Sequence, residues 1–163
     1  FFLFWDIMLS CKINKRRNMG LDQYAGLRDS KGQVHIDFEN VYSDKYDPEK
    51  AGFVWPKHAR LQVFMSKHFK KQKDHEHNTH DDLQHLGFNS GEGGVKITEE
   101  LIKELEEQVK NDYWDCFASD GFFWGQQFQE EAAKEYKSFD KKFIKWAKEQ
   151  LKAGRQIGYD CSW

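Results

Sequence analysis

Apolar residues recur at helical spacing in three parts of the chain and alternate with polar ones in two others. The longest helical pattern runs Phe128, Ala132, Tyr136, Phe139, Phe143, Trp146 or Ala147, and Leu151. It predicts an amphipathic helix from about Gln126 to Ala153, with Gly154 as its stop. A second helix starts after Thr98, which can cap it. Glu99 and Glu100 lie against its positive end, Ile97 can staple onto Ile102, and Leu101, Leu105 and Val109 form its stripe as far as Asn111. The first helix takes Pro56 at its first position and Leu61, Phe64, Met65 and Phe69 as its apolar face, ending near Lys71.

The period-2 pattern belongs to strands. Leu21 to Phe38 is punctuated by the Asp29-Ser30-Lys31-Gly32 turn and then alternates through Val34, Ile36 and Phe38, which predicts a hairpin or two short strands. Ile157, Tyr159, Cys161 and Trp163 alternate with polar or small residues and predict a half-buried strand. Phe122 to Gly125, after the Ser119-Asp120-Gly121 turn, is a further strand candidate. Asn40 to Gly52 reads as a surface loop and Lys73 to Gly94 as a long one. The sum is α+β, with three helices packed on a small, mainly antiparallel sheet.

Before the first of these elements, an apolar block from Phe1 to Leu9 precedes Lys12, Lys15, Arg16 and Arg17. A secretory signal has the reverse order, and the block is about half the length of a membrane span. Met19-Gly20-Leu21-Asp22 reads as a protein start, so residues 1–18 are expected to be a non-native leader or an extension, and residues 19–163 a single domain. Leu21 and Tyr24 then belong with the folded core.

Composition narrows the function classes. A chain that is 16% aromatic and 32% charged has material for a core and a well-solvated exterior. The formal net charge of −2 gives no general reason to expect nucleic acid as a partner, and no membrane segment is expected. Cys11, Cys116 and Cys161 form no disulfide framework, so reduced thiols are expected.

His75, His77, His80 and His85, with His68 and interspersed carboxylates, carry ligands suited to zinc or another transition metal. Their spacing matches no metal framework, and a solvated polar loop is the preferred reading, with no cofactor. Lys57, His58, Arg60, Lys67, His68, Lys70, Lys71 and Lys73 make the first helix basic, a face equally suited to phosphate contact or to solvent. Gly91 to Gly94 lacks the Lys and Ser/Thr of a phosphate loop, and no serine or cysteine lies in a nucleophile motif.

Met19-Gly20-Leu21-Asp22-Gln23-Tyr24 resembles the opening of a family of small tailed-phage proteins of unknown activity that begin Met-Gly-Leu-Asp-Met-Tyr. Phe53-Val54-Trp55-Pro56-Lys57-His58 is similar to that family's Tyr-Trp-Arg-Lys segment, and Gly121-Phe122-Phe123-Trp124-Gly125 to its Gly-Phe-Phe-Phe-Gly segment. Gln23 and Pro56 depart from it, standing where the family has Met and Arg. The resemblance implies a phage origin, in a marine setting, and the cytoplasm of an infected bacterium; it implies no activity.

Two classes of function follow. In the first, an accessory protein binds a host or phage protein through an exposed aromatic and polar surface that includes Phe122, Phe123 and Trp124, although core packing is the preferred place for those rings. In the second, an enzyme or ligand-binding pocket is lined by Asp22, Tyr24, Lys57, His58, Trp124 and Gln127, with Asp22 or His58 moving a proton. The binding class is the leading expectation.

Overall fold

The computed structural model describes residues 21–73, 88, 93–117 and 126–162, the last stretch without the side chains of Gln126, Gln127 and Phe128. Among these, four strands form one antiparallel sheet: β1 (Asp22–Leu27), β2 (Phe53–Pro56), β3 (Val95–Ile97) and β4 (Ile157–Ser162), in the order β2-β1-β4-β3. Three long helices accompany it, α3 (Ala59–Gln72), α4 (Glu99–Lys110) and α5 (Gln126–Lys152), preceded by two single-turn helices, α1 (Phe38–Val41) and α2 (Pro48–Ala51). The fold is α+β, as the periodicities predict.

The alternation in the strands sorts the molecule into layers. Leu21 just before β1, Gln23 and Ala25 of β1, Phe53 and Trp55 of β2, Val95 and Ile97 of β3, and Ile157, Tyr159 and Cys161 of β4 are all buried. They meet the apolar stripes of the long helices, including Phe139, Phe143, Ile144 and Ala147 of α5. Phe53 lies 5.2 Å from both Phe139 and Phe143, ring centre to ring centre, and Trp55 meets Phe143 edge-on at 5.2 Å. Such contacts contribute about 0.5–1.5 kcal/mol each beyond the area they bury. On the opposite face, Val54 packs with Val41 of α1 and Ala51 of α2, with Tyr24, Ile36 and Tyr46 against them.

Two glycines make that opposite face accessible to the chain. Gly26 and Gly158 are partners across β1 and β4. A Cβ on Gly26 would lie 2.6 Å from the carbonyl oxygen of His35, and one on Gly158 would lie 2.7 Å from Val34. Their missing side chains let the segment after β1 cross directly over the sheet.

Several boundaries differ from expectation. Pro56 ends β2 rather than starting a helix; the chain turns through Lys57, at φ 61°, and α3 begins at Ala59 with His58 as its N-cap. Val34 makes only an isolated bridge to Arg28, because Asp37 caps α1 and ends the alternation before Phe38. Asn40 to Gly52 is not all loop: Asp47 caps α2, and Pro48 starts it. Phe53 to Pro56 and Val95 to Ile97, each too short to show a period, are strands. Thr98 and Asn111 do bound α4. Most of the long 73–94 loop, the strand candidate at 122–125, the leader 1–18 and Trp163 lie outside the described residues.

Candidate functional site

The sheet and the long helices close over a chain of polar side chains. At its centre is Asp140, on the buried stripe of α5. Its Oδ1 accepts from the Trp55 indole at 2.8 Å, and its Oδ2 accepts from the Tyr113 hydroxyl at 2.8 Å. Oδ2 also lies 3.0 Å from Nε2 of His58. The Leu61 amide, 3.5 Å away, donates to the other ring nitrogen of His58. That arrangement places the imidazole proton on Nε2, where it donates to the carboxylate. Tyr136 stacks on the His58 ring at 5.1 Å and donates to the Pro56 carbonyl at 2.8 Å, so the ring is held from three sides.

The chain continues into the sheet. Gln23 accepts from the His58 amide at 2.6 Å, and its own amide donates to the His58 carbonyl at 2.9 Å and to the Tyr159 hydroxyl at 2.8 Å. Tyr159 donates in turn to Gln62, whose amide group is 3.2 Å from the Cys161 sulfur. His58, Gln23, Gln62 and Asp140 are each at most 1% exposed. Burial first, and then the charge of Asp140, hold the Tyr113 hydroxyl well above its usual range; burial and then Cys161 do the same for Tyr159. Both phenols therefore remain donors. Buried polar groups satisfied in this way specify one packing of sheet on helix. A satisfied network closed to solvent has an architectural role.

The outer face presents different chemistry. Phe38 is 47% exposed and Tyr42 36%. Phe38 stacks on Tyr42 with ring centres 6.2 Å apart and meets Tyr24 edge-on at 6.3 Å. Asp37, Glu39, Asp44 and Glu49 are exposed on the segments that carry or adjoin these rings. A second exposed pair, Trp114 and Phe117, follows α4, with the Arg60 guanidinium 4.7 Å from the Phe117 ring centre.

Of the residues grouped from sequence, Asp22 and Lys57 stay neighbours, while the His58 ring turns away from Asp22 and Tyr24. Asp22 and Tyr24 leave β1 on the face opposite Gln23, while the His58 imidazole turns inward to Asp140. Asp22 has Lys57 for an electrostatic neighbour; partial burial pushes its carboxyl up, and Lys57 opposes the shift. Tyr24 joins the outer aromatic cluster, where burial and then Asp160 push its hydroxyl up to about 12. Phe122, Phe123, Trp124 and the Gln127 side chain lie outside the described residues, as do His75, His77, His80 and His85. Among the described residues, no three metal-ligating side chains converge.

Sequence reasoning misses Asp140, Tyr113 and Gln62. Asp140 does carry a signal: four residues after Tyr136 and three before Phe143, it is a carboxylate on an apolar stripe. Phe38, which the alternation assigns to a strand, is instead the centre of an exposed cluster.

Helices on one face of a four-stranded antiparallel sheet, with a short two-helix segment on the other, define the class as a small α+β domain. Comparison with protein-family models, curated proteins and solved structures gives no match. No helix among the described residues is long and apolar enough to cross a membrane.

Proposed function

We propose that this protein is a small accessory protein that binds another protein, of host or phage origin, through the cluster of Tyr24, Phe38 and Tyr42. The resemblance in the Met19 to Tyr24 segment supports a phage setting and a place of action in the cytoplasm of an infected bacterium. The observation that carries the reading is Phe38, a large apolar ring 47% exposed yet fixed between two other aromatic rings. Rigid aromatic groups that project from polar surroundings are favoured anchors at protein interfaces, because they bury large area with little loss of side-chain freedom. The exposed carboxylates of Asp37, Glu39 and Glu49 suit a partner whose apolar pocket has a basic rim.

The test starts by placing a photo-crosslinking amino acid at position 38 in infected cells and identifying the adduct by mass spectrometry. Affinity for the purified partner is then measured for the natural protein and for Phe38→Ala/Tyr42→Ala. A loss of tenfold or more with an unchanged circular dichroism spectrum is expected. Equal binding by the two proteins would reject this surface.

A further inference from the structure

A groove of about 500 Å³ runs between α4 and α5, on a part of the surface distinct from the aromatic cluster. Its floor is Val109 and Ile144, only 2% and 4% exposed, and the methylene stems of the lysines around them leave most of its open lining apolar. Its walls are lysines. Lys137, Lys141, Lys145 and Lys148 come from α5, and Lys110 faces them from α4. The four on α5 occupy one side of the helix over about 16 Å, since each residue rises about 1.5 Å.

The two ends of this row are already neutralised from within the chain. Lys148 grips both carboxylate oxygens of Glu106, at 2.7 and 2.8 Å, and Lys137 is 2.9 Å from Asp112. Between them, the ammonium groups of Lys110, Lys141 and Lys145 have no carboxylate partner among the described residues. Two internal carboxylates thus show that lysines here engage oxyanions at charge-assisted distances, while the middle of the groove is left with concentrated positive charge in a chain of net charge −2.

We propose that the middle of the α4–α5 groove binds a compact phosphate-rich anion, of the size of a tripolyphosphate or the phosphate tail of a nucleoside triphosphate. Glu106 and Asp112 decide between this and larger occupants. A nucleic-acid strand or a long acidic helix following the groove would carry most of its negative charges over ends where lysine is already paired with carboxylate, whereas a short anion stays over the middle ammonium groups. Lysines act as point charges on phosphate and impose no planar geometry, which suits a flexible oligophosphate.

Titration calorimetry of the full chain with sodium tripolyphosphate, at about 50 mM salt, tests the assignment. Lys141→Ala/Lys145→Ala is expected to weaken binding by at least tenfold. Lys134→Ala/Lys142→Ala removes the same charge from the same helix outside the groove and is expected to change affinity less than twofold. Circular dichroism checks that both variants keep the fold. No binding at millimolar tripolyphosphate, or equal losses in the two variants, overturns the proposal. So does tighter groove binding by a single-stranded oligonucleotide or by an acidic peptide, read as a tenfold loss in the groove variant.

Discussion

His58 donates from Nε2 to Oδ2 of Asp140 across 3.0 Å, joining the cap of one helix to the centre of another at a point that solvent does not reach. The same carboxylate receives the Trp55 indole and the Tyr113 hydroxyl. One α5 side chain therefore ties together β2, the start of α3 and the turn after α4.

Replacing Asp140 with Asn puts an amide donor among three donors and removes the charge that strengthens each bond. The expected loss of unfolding free energy is about 3 kcal/mol in urea denaturation. Trp55→Phe removes one donor and costs about 1–2 kcal/mol. If the two belong to one network, the double variant loses less than the sum of the single losses. Strict additivity would show that the indole and the carboxylate act independently.

The glycine pair yields a second expectation. Gly26→Ala drives a methyl group into the His35 backbone; β1 cannot retreat without disturbing its pairing with β4, and the crossing segment cannot retreat without straining the 2.9 Å bond from the His35 amide to the Leu27 carbonyl. A cost of about 2 kcal/mol follows. Gly154, at φ +76°, faces open space, and a methyl group added there meets no atom within 4 Å. Gly154→Ala therefore carries only the backbone penalty of about 1 kcal/mol. Thermal unfolding midpoints should fall further for Gly26→Ala; the reverse order would mean that the crossing segment yields readily.

These two cases mark how much the sequence discloses. Long periods such as that of α5 survive inspection because several turns repeat the same face, and Thr98 and Asn111 announce α4 through local chemistry. Gly26 is closed off by the His35 backbone and pairs with Gly158, more than 130 positions away, and no local pattern encodes that crossing or that register. Pro56 misleads for a related reason. Its φ suits a strand end as well as a helix start, and pairing of Asp22 with Pro56 selects the strand. His58 is legible as chemistry but not as structure, because its partner Asp140 belongs to a helix that is distant in sequence.

Thiol chemistry gives a third check. Burial pushes the Cys116 and Cys161 thiols each up to about 12, with Lys67 pulling against the shift at Cys116 and the Gln62 amide doing so at Cys161. Only thiolate alkylates efficiently. In the native protein at pH 8, iodoacetamide should modify both residues at least tenfold more slowly than in urea-unfolded protein, as mapped by peptide mass spectrometry. Rapid native labelling of Cys161 would mean that the β4 end opens readily.

The last expectation concerns pH. His68 on α3 lies 3.0 Å from Glu104 of α4 and 4.8 Å, ring to ring, from Phe64. Burial lowers its proton affinity below the usual 6.5, and the nearby Lys71 and Lys67 act in the same direction; Glu104 opposes them but does not prevail. The folded protein then binds fewer protons at this site than the unfolded chain does. His68 therefore contributes full stability above about pH 6.5, and that contribution falls as acidification passes through the unfolded value toward the lower folded one. His68→Gln retains a hydrogen-bond donor toward Glu104 but cannot titrate. Urea unfolding at pH 7.5 and 5.5 should show a smaller loss on acidification for the variant than for the natural protein. A larger loss for the variant would mean that the Glu104 attraction outweighs desolvation, reversing the sign.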